Sequence, residues 1–485
     1  MLKLPQNPTR SRLRLGWVCA LLAYRILPAT PADAQSSYSQ RKPDSFINRQ
    51  RAMEDDMRRQ FDEQLGDSQD ALFDWGGWYN AFLFSFDDGV ESSRTLRRQD
   101  LRTWGRLSLQ QGAHGLYARV RLSHLDFNSG QAYDGNDNDI EGPNLERGFY
   151  RFDWAKFRQS KGDDPIDYNV VVEAGRDLVQ LGTGLALATP LDHVSIQGTY
   201  RSFELTAFAG KTVGSTQDFD LSRRASRSHR DLFGGQLKYR GWEKHEPFVY
   251  AFSQKDRNHE TLLPLFQRFD NDSFFIGLGS TGELVERWRY ATELIYASGE
   301  SFGHRRFFGD QDIRAWAALA EVEYLFPGKH KARASAEYVF GSGDGDRFGS
   351  PTNTVGGNLA DSQDSGFIGM GYRDSGLVLA PRISNLHMWR MGASFFPWPE
   401  KERYRRLELG TNWYLYYKHH ASGAISDPTA SVPSGYVGWE MDWFANWRIS
   451  SDVAWTTRMG FFTPGDAFED SGTRAFFLLG MTWSF

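Results

Sequence analysis

From Asp74 onward, apolar side chains recur at every second position, and a period of two allows only sheet whose two faces meet different surroundings. The run 437–449 shows it plainly. Val437, Trp439, Met441, Trp443, Ala445, Trp447 and Ile449 share one face, while Glu440, Asp442, Asn446 and Arg448 share the other, with Phe444 among them. Val453, Trp455, Met459 and Phe461 repeat the pattern, as do Ala475, Phe477, Leu479, Met481, Trp483 and Phe485. About 18 such strands are readable between 74–86 and 473–485, the fourth near 147–158 and the fifteenth near 403–418. Connections alternate in length. Gly112-Ala113 and Ser450-Ser451 are short, whereas 128–146, 213–231 and 342–382 are long. Short turns at one end and long loops at the other predict an all-β fold: a single transmembrane antiparallel β-barrel of the outer-membrane type over 74–485.

The alternative is a soluble β-sandwich or propeller, whose strands are shorter and whose outer face is polar. Composition agrees with the barrel. Aromatics make up 15% of the chain, yet its mean hydropathy is −0.55, so apolar residues are abundant but diluted by alternation. Disordered chains are poor in aromatics. No uninterrupted apolar stretch is long enough for a membrane-spanning helix.

The first 34 residues read as a secretory signal peptide. Lys3, Arg10, Arg12 and Arg14 precede a short apolar core at 16–27, and Ala32-Asp33-Ala34 forms an A-x-A cleavage site. Removing this leader removes Cys19, the single cysteine, and leaves 51 basic against 60 acidic residues. A cysteine-free chain has no disulfide scaffold, thiol nucleophile or Cys-based zinc site. The acidic balance argues against nucleic acid as a partner. Residues 35–73 read as a periplasmic helical arm or linker. Met53, Met57, Phe61 and Leu65 recur every four residues, so 45–65 is expected to be an amphipathic helix that is solvated, docks on a periplasmic partner or plugs a pore.

Phasing each strand by its apolar face assigns the other set to the barrel lumen. That set includes Arg102, Arg106, Arg119, Arg121, Arg151, Arg390, Arg448 and Arg458, with Glu440 and Asp442 as acidic partners expected to orient the arginines. Arginine pairs bidentately with carboxylates, and rings of it select anions in pores. Arg–Glu ladders that merely satisfy enclosed charge are the plainer reading of the same residues. Trp104, Tyr117, Tyr414 and Tyr416 fall on this face too, either to stack on sugar rings or to fill space. The loop 342–382 is too long for a simple connector, so it either folds inward as a constriction or stands in solvent. Asp344-Gly345-Asp346 and 134–139 carry carboxylates of the kind that hold Ca²⁺, without EF-hand spacing. No cofactor is called for. The eleven histidines show no paired-ligand spacing, and G-x-S-x-G and P-loop motifs are absent, so no enzymatic role is read.

The stretches 436–442, 445–450 and 461–468 resemble the C-terminal end of the alginate export family. Similar pieces are 100–106, 116–119, 174–176, 341–346 and 383–387, although Ala174-Gly175-Arg176-Asp177 departs from the family's Gly-Arg-Gln. The resemblance implies an 18-stranded outer-membrane barrel and a passive, cation-lined path for an anionic polysaccharide of the alginate type. The last strand, ending on Trp483-Ser484-Phe485, resembles the signal read by the barrel-insertion machinery of Gram-negative outer membranes, with outer-membrane lipid expected around the wall. A general or anion-selective diffusion porin for small solutes is the alternative, and an outer-membrane adhesin the second.

Overall fold

The computed structural model describes residues 71–485 apart from 88, 90–92, 133–134, 215, 217–228, 258–270, 303–309 and 347–362. The leader and the 45–65 helix lie outside the described residues. The ascending and descending strands begin with β1 (Ala71–Phe86), β2 (Arg94–Leu109), β3 (His114–Phe127), β4 (Asn138–Asp153), β5 (Tyr168–Leu181) and β6 (Leu187–Tyr200). They continue with β7 (Phe203–Thr212), β8 (Arg230–Tyr239), β9 (His245–Asp256), β10 (Asn271–Val285), β11 (Trp288–Phe302) and β12 (Asp310–Leu325). The circuit ends with β13 (Arg333–Gly341), β14 (Leu386–Phe395), β15 (Leu407–Lys418), β16 (Tyr436–Arg448), β17 (Val453–Pro464) and β18 (Arg474–Ser484). One short helix, α1 (Trp154–Ser160), follows β4.

Every strand pairs antiparallel with its sequence neighbours, and β1 pairs with both β2 and β18, so the sheet of 18 strands closes on itself. Closure gives every strand a partner on both sides, the condition for backbone in hydrocarbon. The seam runs from Trp78↔Ser484 to Phe86↔Phe476, and Gly77 and Phe485 exchange both backbone hydrogen bonds at 2.9 Å. Glycine is needed there. A Cβ on Gly77 would lie 2.6 Å from the Phe485 ring, and one on Gly76 would lie 2.8 Å from its carbonyl oxygen.

The apolar face points outward. Phe73, Trp75, Ile196, Leu205, Leu278, Trp316 and Met391 are exposed on the wall, a display of apolar area that water would penalise and lipid favours. Rings crowd the short-turn end, where Trp398 meets Tyr404 and Tyr404 stacks on Trp447, as at a membrane–water boundary.

Two strands differ from the pattern. The fourth begins at Asn138 and ends at Asp153, where the Asp153 side chain accepts from Lys156 N (3.2 Å) and caps α1 in place of continued strand. Its upper half, Asn138 to Leu145, is polar and interrupted by bulges, so it carries no readable alternation. The fifteenth begins at Leu407, because 401–404 forms a hydrogen-bonded turn.

Candidate functional site

Directly paired residues in a sheet share a face. The pairs Arg102↔Arg121, Trp104↔Arg119, Arg106↔Tyr117, Gly115↔Arg151, Arg390↔Tyr414, Tyr414↔Glu440, Asp442↔Gly460, Phe444↔Arg458 and Arg448↔Ala454 therefore carry all ten lumen candidates round the inner wall. They fall into three separate groups.

The first is a buried ion network on β2, β3 and β4. Arg98 Nε lies 3.0 Å from Asp100 Oδ1, and Arg102 Nη1 lies 3.4 Å from Asp100 Oδ2. The Glu146 carboxylate takes Arg102 Nε (3.0 Å), Arg119 Nε (3.1 Å) and Arg121 Nε (3.5 Å). Four guanidiniums thus meet Asp100 and Glu146, and Glu141 touches Arg121 at the outer edge (3.6 Å). Arg119 also lies over the Trp78 ring, 5.5 Å from its centroid. Sequence phasing misses Glu146. Arg119 pairs with Arg147 and Val120 with Leu145, so Glu146 is the extra residue of a bulge. The bulge turns this carboxylate inward out of phase.

The second group lies on the opposite wall, under a loop. Residues 363–385 enter the lumen, which decides between the two positions open to this segment. Glu440 accepts from the backbone N–H groups of Leu377 (2.6 Å), Val378 (2.6 Å) and Leu379 (2.8 Å), and Asp442 accepts from Leu377 N (3.1 Å). These two acids clasp the loop. Arg373 of the loop bonds Glu337 and Glu321, and Asp374 bonds Arg390 (3.2 Å). Arg390 also contacts Glu321 (3.0 Å) and Glu337 (2.7 Å), so it is an anchor of the loop. Glu321, Glu337 and Asp374 meet two guanidiniums here, and Glu440 and Asp442 add two further acids, so the balance is the reverse of the first group. Tyr414 and Tyr416 are fully buried beneath the loop, with Tyr416 Oη donating to Ser375 O (2.8 Å); they fill space. Phe367, Val378, Leu379, Leu185, Leu187, Ile425 and Phe468 form one buried apolar cluster that packs the long-loop half of the lumen.

The third group, Arg106, Arg151, Arg448 and Arg458, lines the short-turn half. Arg106 faces Asp74 across β1 and β2, and Arg151 faces Glu173 across β4 and β5. Arg458 lies over the Phe444 ring, 5.0 Å from its centroid, and Arg448 donates to Ser451 O (3.4 Å). Trp104 stacks on Tyr117, and Tyr117 on Phe149, making a row of rings beside these arginines.

The loop aspartates bind backbone. Asp344 accepts from the N–H groups of Asp346 and Ser365 (both 3.0 Å). Asp137 accepts from Gly130 N (2.7 Å) and Ala132 N (3.1 Å), and these bonds hold its carboxyl below the usual range. Among the described residues, no three side chains of metal-ligating type come together.

Solved structures share this architecture at low identity, a likeness that establishes the fold. OccK5 (OpdH) of Pseudomonas aeruginosa superposes with a TM-score of 0.52 at 13% identity, over 86% of this chain and 99% of that one. A BenF-like porin from Pseudomonas fluorescens Pf-5 gives 0.51 at 14%, over 87% and 100%. OccK8 (OprE) of P. aeruginosa gives 0.51 at 11%, over 85% and 98%. No curated protein matches the sequence. An apolar wall around a charged lumen, on this fold, makes an outer-membrane barrel channel. The profile described as Alginate export matches residues 193–477, more than half the chain, so the chain belongs to the alginate export family.

Proposed function

We propose that the protein is a passive channel in the outer membrane of a Gram-negative bacterium, through which an anionic polysaccharide of the polyuronate type leaves the cell. One observation carries this reading: the distribution of charge along the barrel axis. The connections at the short-turn end hold 13 basic and 8 acidic residues, whereas those at the long-loop end hold 10 basic and 18 acidic. A polyanion is attracted to the first rim and repelled from the second. Between the rims lies the arginine-rich wall of β2, β3 and β4, facing the acid-rich wall under the loop. Guanidinium groups spaced along one wall hold successive carboxylates weakly enough to release them. For a polymer to pass, the loop 363–385 has to leave the Glu440–Asp442 clasp. Recognition of Phe485 by the barrel-insertion machinery, and a periplasmic partner for 45–65, belong to the same proposal.

The packed upper lumen favours a second reading, an anion-selective porin for small solutes. An adhesin would bind ligand without conducting. Planar bilayers separate these. The first reading expects anion-selective current that long oligouronates block from the short-turn side. The second expects current that glucuronate shares and long oligouronates leave untouched. Replacing Arg106, Arg121 and Arg458 together by Gln is expected to abolish the anion preference. An unchanged reversal potential in a KCl gradient would remove the cationic path from the account.

A further inference from the structure

One strand pair is only half zipped. β4 and β5 pair over Gly148↔Arg176 to Asp153↔Val171 alone, although β4 pairs with β3 up to Asn138 and β5 with β6 up to Leu181. Above Gly148 and Arg176 the strands part. The cause lies at the tip of the β5–β6 hairpin, which leans across the lumen. Gly182 N donates to Gln236 Oε1 (2.6 Å), Thr183 bonds Glu293 of β11, and Tyr372 N donates to Gly184 O (3.0 Å). β4 stays in the wall with β3.

Side chains bridge the gap where backbone does not. Facing the lumen, Arg147 Nη2 lies 2.6 Å from Asp177 Oδ1. Facing the lipid, Arg176 Nη1 donates to Leu145 O (2.8 Å), while its Nε and Nη2 hold Asp192 at 2.7 and 3.0 Å. A shallow, open cavity of about 490 Å³ lies at the foot of the gap, with Leu145, Val194 and Ala209 on its lipid-facing side and the strand residues Gly175 and His193 as its floor. Unpaired backbone is tolerated only where water reaches. The exposed, polar stretch Asn138–Leu145 therefore belongs at the level of the outer headgroups, with the apolar cavity just below it.

On the lumen side the gap adjoins the cationic network, since Arg147 pairs directly with Arg119. The apolar cluster around Phe367 and Leu379 narrows the route past the long loops. The geometry points to a lateral portal between β4 and β5 that passes amphiphilic anions between the lumen and the outer leaflet. The anionic head follows Arg102, Arg119 and Arg147, and the apolar chain slides against Leu145 and Val194. This activity is additional to polyuronate passage and does not depend on it.

The test uses the full-length mature barrel in proteoliposomes, with 1-octanesulfonate as the amphiphilic probe and glucuronate as the hydrophilic one. Ala209→Trp places an indole in the cavity from the lipid face, where Trp is tolerated. It should abolish octanesulfonate flux and leave glucuronate flux and KCl conductance unchanged. Asp177→Ala unlinks the gap while leaving Arg147 in place for the anionic head, and should raise octanesulfonate flux above that of the parent. The portal is overturned if octanesulfonate flux is indifferent to both variants, or if both probes change together. Loss of glucuronate flux in the Arg106, Arg121 and Arg458 variant, with octanesulfonate retained, would bear on the axial path and not on the portal.

Discussion

Glu146 holds the most consequential single carboxylate in the lumen. It contacts three guanidiniums, Arg102, Arg119 and Arg121, on a wall that already carries more positive than negative charge. Glu146→Gln should raise anion preference, seen as a larger reversal potential. It should also cost stability on the order of 3–5 kcal/mol, because buried guanidiniums lose their partner. A lower temperature for the heat-induced shift in gel mobility would register that cost. Asp137 gives a pH dependence outside the membrane-spanning strands. Its carboxyl is depressed by the bonds from Gly130 and Ala132, so its contribution is complete above the ordinary Asp value of 3.8 and is lost as pH falls through the depressed value. Amide protection at Gly130 and Ala132, taken relative to the intrinsic exchange rate at each pH, should therefore fall in acid, and Asp137→Asn should erase the step. Protection that is flat with pH in the parent chain would contradict this. None of these roles is legible from residue type. Glu146 is hidden by a bulge that shifts the phase of β4, and Asp137 by a turn whose partners are backbone groups.

At the scale of elements, period two made the strands legible because one face of each meets lipid and the other meets charge. Trp439, Met441 and Trp443 against Glu440 and Asp442 fix the inner face of β16 with no further information. That alternation says which way Glu440 points but not what reaches it. The loop amides of Leu377 to Leu379 arrive from more than 60 positions away, a contact written only in the tertiary fold. Where alternation fails, as over Asn138–Leu145 and Trp154–Ser160, sequence reading failed with it. The clasp is testable as an element. Glu440→Ala strands the amides of Val378 and Leu379, which each cost roughly 1–3 kcal/mol when buried without a partner, and leaves Leu377 on Asp442 alone, so the loop should detach. Larger and noisier single-channel currents are expected, and currents identical to the parent's would show that the loop is held elsewhere. Closure is testable in the same way. Gly77→Val forces a side chain into the Phe485 ring and should lower the yield of heat-modifiable barrel, whereas an outward swap such as Leu83→Ile should not.

For the whole molecule, the account rests on a closed wall that is apolar outside, a lumen with a cation-rich side and an acid-rich side, and rims of opposite charge. Those features make a conduit with a preferred ion sign. The measurement that tests this most directly is the reversal potential of the mature chain in a planar bilayer under a KCl gradient. Steady current whose reversal potential has the sign of chloride preference is the expected result. A bilayer that stays silent, or one that reverses toward potassium, would contradict the account.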